Sequence, residues 1–116
     1  MSVSLILLLA FLRFVVGLGE KPVIYDLHVS DKLFEGKKFF LTCQLNSGKQ
    51  PVSFTWYHSD ELVKPNDNIA ILTNEESSQL IIKEMSLADS GPYVCKVENA
   101  YGSDSRRVDL KLNGKL

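Results

Sequence analysis

The sequence predicts an all-β fold, a sandwich of two antiparallel sheets. Three observations carry that prediction. Trp56 and Cys95 follow Cys43 at spacings of 13 and 52 residues. Lys37 to Leu45 alternates with period two, the mark of a half-buried strand. Phe39, Leu41, Cys43 and Leu45 share one face, and Lys38, Phe40, Thr42 and Gln44 the other. The third observation is the stretch Asp89-Ser90-Gly91-Pro92-Tyr93-Val94-Cys95. Tyr93 lies two residues before Cys95 and so shares its face. Aspartate bonds its own turn backbone and glycine accepts positive φ, so Asp89 and Gly91 suit the turn before that strand.

The elements follow in chain order. Pro22 to Val29 reads as the first strand, with proline tolerated at its start. Ser30 to Gly36 is turn-rich and carries Leu33 inward. The Cys43 strand comes next, with Phe40 outward. Asn46 to Pro51 is a loop by composition. Val52 to His58 is a strand with Val52, Phe54 and Trp56 inward and Ser53, Thr55 and Tyr57 outward. Leu62 and Val63 form a short edge piece. Ile69–Thr73 and Ser78–Lys83 are strands, the second with Leu80 and Ile82 inward. Met85 and Leu87 are expected to cap the lower core. Tyr93 to Glu98 places Tyr93, Cys95 and Val97 inward. Asn99 to Gly102 turns, and Val108, Leu110 and Leu112 alternate inward on the last strand.

Taken together, Cys43, Trp56, Leu80, Ile82, Asp89, Gly91, Tyr93 and Cys95 resemble the core series of the immunoglobulin superfamily, of the I-set or C2-like kind. The resemblance covers about residues 21–112. It implies a Greek-key sandwich, a Cys43–Cys95 bridge between the sheets, Trp56 packed on that bridge, and a Tyr93 hydroxyl bonded to upstream backbone. Such domains often pair the Asp89-type aspartate with an arginine at the place Asn68 occupies here. That ion pair is therefore not expected, and Asp89 is left to backbone bonds. Pro92 is a further departure, since it removes a donor at the strand entrance. Glu35-Gly36, the Ser47-Gly48…Pro51…Phe54-x-Trp56 run and Asn99-Ala100-x-Gly102 are also similar to immunoglobulin repeats of the Down syndrome cell adhesion molecule family. Those receptors are multi-domain membrane proteins that bind their own kind.

Composition bounds the rest. The 116 residues suffice for one domain. A net charge of −1 and a pI of 6.1 argue against nucleic acid or an anionic membrane as partner. Val3 to Leu12, broken only by Ser4, has the length of a secretory signal core and falls short of the ~20 residues of a membrane span. Gly17 and Gly19 suit a cleavage site before Glu20. The expected organisation is a signal peptide at 1–19 and a single domain at 20–116, secreted into an oxidising compartment where a disulfide persists. An uncleaved anchor is the alternative.

No catalytic motif is present: no nucleophile elbow, no His-Glu-x-x-His, no phosphate-cradling glycine loop and no second cysteine pair for zinc. His28 and His58 are too few for a metal or triad scheme, and His58 reads as a strand end. The expectation is a non-enzyme with no cofactor and no small-molecule substrate. What remains is protein recognition, with a second copy of the chain among the candidate partners. Tyr57, Val94 and Lys96 are candidate surface residues on the Cys95 sheet, and Tyr101 is one at a hairpin tip. The expected function is a cell-adhesion or cell-surface recognition module, secreted as one domain or leading a longer receptor. The alternatives are a soluble binding protein, such as a decoy or immune-recognition factor, and a spacer without a ligand.

Overall fold

A computed structural model describes residues 19–29 and 32–115. The expected signal segment lies, apart from Gly19, outside the described residues. Among the described residues, ten strands form two four-stranded sheets and one two-stranded pair. The first sheet runs β1 (Val23–Ile24), β3 (Phe39–Ser47), β7 (Ser77–Ile82), β6 (Ile69–Thr73). The second runs β5 (Glu61–Leu62), β4 (Ser53–His58), β8 (Gly91–Asn99), β9 (Gly102–Leu110). All pairings within both are antiparallel. β2 (Leu33–Glu35) pairs in parallel with β10 (Leu112–Lys115), which continues β9 after Lys111. A 3-10 turn, Leu87–Asp89, connects the sheets ahead of β8.

Alternation decides which residues are inside. On β3, Leu41 and Cys43 are buried while Phe40 is 55% exposed. On β7, Ser78, Leu80 and Ile82 are buried. Trp56 on β4 and Tyr93, Cys95 and Val97 on β8 complete the interior. Cys43 and Cys95 are joined by a disulfide whose two residues are fully buried. Because 52 residues separate them, the bridge removes much of the unfolded chain's freedom. In the chain-entropy picture that is worth about 4 kcal/mol. Every buried side-chain nitrogen or oxygen among the described residues has a hydrogen-bond partner.

Three local expectations are corrected. The first strand is not eight residues long: pairing with β3 is confined to Val23–Ile24 and is irregular there. The chain then leaves β3, and Leu33–Glu35, expected to be turn, forms β2 against β10. Leu33 is nevertheless buried, since Leu112 lies opposite it. Leu87 does not cap the core. It is 74% exposed at the start of the 3-10 turn, and Met85 alone fills that end at 2% exposure.

Candidate functional site

The turn before β8 shows how local sequence positions the core. Asp89 accepts from the Ser86 backbone N–H at 2.9 Å and from its hydroxyl at 3.1 Å. Tyr93 donates its hydroxyl to the Asp89 carbonyl at 2.7 Å. Burial, and then the nearby Asp89 charge, push the Tyr93 phenol far above its ordinary range, so it stays a donor. Asn68 takes on a different task from an arginine. Its side chain brackets the Glu84 backbone, accepting from N–H at 2.9 Å and donating to C=O at 3.1 Å. Gly91 adopts φ +112°, a region other residues rarely enter. Its neighbour His58 stacks on Tyr93 at 4.2 Å between ring centroids and contacts the Ser90 carbonyl through Nε2 at 2.8 Å. Those contacts are structural, and no group of three or more metal-ligating side chains exists among the described residues.

Of the candidate surface residues, three share one face. Tyr57 pairs across strands with Val94, and the row extends to Leu62 on β5 and Arg107 on β9. Lys96 lies in the next row, opposite Thr55 and Ser105. Its ammonium pairs with Glu98 at 3.6 Å, and Arg107 pairs with Asp109 at 3.2 Å. This face is thus an apolar row, with Leu62 54% exposed, bordered by two solvent-facing ion pairs. Such pairs add little stability.

Tyr101 does not join that face. It sits in the β8–β9 turn, half-buried, with its ring against Gly19. Asn99 holds the turn by accepting from the N–H groups of Tyr101 and Gly102 at 2.8 and 3.0 Å. The same amide donates to the carbonyls of Glu20 and Lys49 at 2.7 and 3.0 Å. Asn99 therefore ties the turn to the first described residues and to the loop after β3.

Two residues that sequence reasoning misses close the sandwich edge. Asp104 accepts from the backbone N–H of Ile24 at 2.9 Å, linking β9 to β1 of the other sheet. Arg106 donates to Asp104 at 2.6 Å and to Asp26 at 3.1 Å. Burial alone would raise the Asp104 carboxyl. The bonds from Ile24, Arg106 and the Ser105 N–H outweigh it and hold the group below its ordinary value. The signal is present in the chain: both residues have the inward parity of Val108 and Leu110, and their charges are opposite.

The immunoglobulin I-set domain family matches residues 23–112. The chain is 34% identical over 103 residues to the membrane-bound isoform of pro-neuregulin-1 from Xenopus laevis, spanning 83% of this chain and 15% of that protein. It is 32% identical over 85 residues to the cell adhesion molecule Dscam2 of Drosophila melanogaster, spanning 67% of this chain and 4% of the other. The match thus spans a small part of each relative's length. Among solved structures, the Ig7 domain of Dscam1, isoform 5, superposes with a TM-score of 0.75 at 24% identity, covering 80% of this chain and 97% of that one. The described sandwich, its disulfide and the family match agree, and the chain belongs to the immunoglobulin I-set domain family.

Proposed function

We propose that the chain is a non-enzymatic extracellular recognition module of the cell-adhesion or cell-surface type, with a protein as its ligand. Residues 1–19 act as its secretory signal, and residues 20–116 are the mature domain. The observation that carries this reading is the buried Cys43–Cys95 disulfide at the centre of an I-set sandwich, since such a bridge belongs to an oxidising compartment. The Tyr57–Val94 row with Lys96 is the recognition surface, because exposed aromatic and apolar side chains anchor interfaces while bordering charges set orientation. Tyr101 serves mainly to seat the β8–β9 turn.

The relatives' greater length supports placement as the first domain of a longer receptor. A soluble single-domain binding protein is the alternative. The size of the native product in its source tissue separates the two.

The test uses the chain secreted from cultured cells. Its N-terminal residue should be Glu20. Labelled protein should bind cells of the source tissue saturably, and trypsin treatment of those cells should remove the sites. Tyr57→Ala combined with Val94→Asp should lower binding about tenfold or more. Retention inside the producing cells would overturn the extracellular reading. Saturable binding indifferent to both substitutions would overturn the assigned surface.

A further inference from the structure

The early departure of the chain from β3 leaves a hollow beside that strand. Val23, Ile24 and the Tyr25 N–H cover β3 only from Gln44 to Ser47. From Phe39 to Cys43, β3 has a ladder partner on its β7 side alone among the described residues. The chain runs on to β2 instead, and a cavity of about 220 Å³ opens between β2 and the start of β3. Its floor is apolar. Leu33 and Met85 are buried there, Phe34 is half-buried, and the exposed Phe40 adds to the lining. The rim is basic: Lys32, Lys37 and Lys38 line the cavity and are exposed.

No acid lines this cavity, and none of the three lysines is in an ion pair among the described residues. Glu35, in the β2–β3 turn, and Glu84, just before Met85, are the described acids nearest in sequence, and neither pairs with these lysines. Asp31 lies outside the described residues. The cavity is held open by backbone. Gly36 donates to the Met85 carbonyl at 2.7 Å, and Met85 donates to the Lys37 carbonyl at 2.9 Å. Lys37 donates to the Phe34 carbonyl at 3.3 Å. Gly36 makes this turn at φ +84°, which a glycine adopts without steric cost. The walls are therefore fixed, while the lysine side chains are long and adaptable.

We infer that this cavity receives one aromatic side chain from an acidic segment of a partner protein. Its volume is below the roughly 300 Å³ at which sites for whole small molecules begin, so it suits a single side chain. The apolar floor selects a ring as the anchor. The lysine rim selects carboxylates on either side of that ring, and repels a basic segment. A second copy of the chain does not supply such a segment, because none of its aromatic residues has an acid on both sides. A sulfated polysaccharide would meet the lysines but leave the apolar floor empty. This site lies away from the Tyr57–Val94 row on the other sheet and goes beyond the recognition reading above.

The experiment titrates a synthetic peptide, one phenylalanine between two pairs of acidic residues, into the full chain with its disulfide formed. Nuclear magnetic resonance locates the contact and calorimetry measures the affinity. Binding should be saturable, with the largest amide shifts at Phe34 to Phe40. Replacing the peptide's phenylalanine by alanine should weaken binding about tenfold or more. Lys37→Glu with Lys38→Glu should weaken it about tenfold or more, and thermal unfolding checks that this surface variant is folded. Tyr57→Ala with Val94→Asp should bind the peptide as wild type does. Four results would overturn the inference: no saturable binding, binding indifferent to the peptide's ring, binding indifferent to the lysine changes, or loss of binding in the Tyr57 and Val94 variant. A heparin fragment that binds at these lysines where the peptide does not would also overturn it, and would assign the rim to a sulfated polysaccharide. A chain that ignores the peptide but still binds cells through Tyr57 and Val94 would leave the recognition reading standing.

Discussion

Trp56 donates its indole N–H to the hydroxyl of Ser78 at 2.9 Å, inside the sandwich and across its two sheets. Ser78 is fully buried, lies opposite Cys43 on β3, and exchanges a second bond with Thr73 at 2.8 Å. The serine allows an indole to fill the space beside the disulfide without stranding a donor. Ser78→Ala leaves that buried N–H without its partner, a cost of about 1–3 kcal/mol. Thr73→Val removes only the partly solvated bond and should cost less. Urea unfolding of both variants checks the order. An equal or reversed order would mean that water replaces Ser78.

Tyr93 and Asp89 make the equivalent test of the turn. The 2.7 Å bond from the phenol to the Asp89 carbonyl fixes the entry to β8. Tyr93→Phe keeps the ring stacked on His58 but removes the donor, and should destabilise by about 1–2 kcal/mol. Urea midpoints should show the loss at neutral pH and leave it unchanged to about pH 10. The buried phenol is held above its ordinary range and does not ionise there.

The interior of this fold is legible in the sequence because burial imposes a two-residue period, which β7 and β8 keep along their inward residues and β3 keeps as far as Cys43. Parity alone places Phe40 outward and Leu80, Ile82 and Val97 inward, as the structure has them. Legibility fails where parity has no hold. After Tyr25, whose N–H still donates to the Gln44 carbonyl, the chain peels off β3, and β2 is recruited by a parallel partner near the far end of the chain, which no local pattern encodes. Apolarity alone reads Leu87 as core. It starts a 3-10 turn whose geometry comes from Ser86 and Asp89, and that turn points it outward. Asp104 and Arg106 escape notice because charges on a predicted strand read as solvated. Their parity points inward, toward a sandwich edge where Ile24 offers a free N–H. Surface recognition is fainter still, since the row Leu62–Tyr57–Val94–Arg107 exists only once four strands are in register.

The disulfide and the tryptophan beside it should separate cleanly in their effects. Cys95→Ser gives up the roughly 4 kcal/mol of chain constraint and should reduce secretion sharply. Trp56→Ala keeps the bridge and opens a cavity, at about 3–5 kcal/mol. Thermal unfolding with and without reductant distinguishes them. Reductant should lower the melting point of wild type and Trp56→Ala and leave Cys95→Ser unchanged. A wild type insensitive to reductant, with the thiols shown to be free, would mean that the bridge contributes nothing.

The Asp104 edge supplies a pH test with a defined sign. The folded carboxyl is held below the ordinary aspartate value of 3.8, so the folded state binds its proton less readily than the unfolded chain does. Its contribution to stability is full above about pH 4 and is lost as pH falls through the lowered value. Asp104→Asn retains an acceptor for the Ile24 N–H but has no charge to pair with Arg106. The variant should be less stable than wild type at pH 7, and the gap should close as the pH drops from about 4 toward 2. In an Arg106→Gln background the gap at neutral pH should shrink without vanishing, because the backbone bonds from Ile24 and Ser105 remain. Urea midpoints of these proteins, taken from about pH 2 to pH 7, check this. A gap between wild type and Asp104→Asn that stayed constant over that range would show that the carboxylate charge does not tie β9 to β1, and that neutral hydrogen bonds and packing hold the edge.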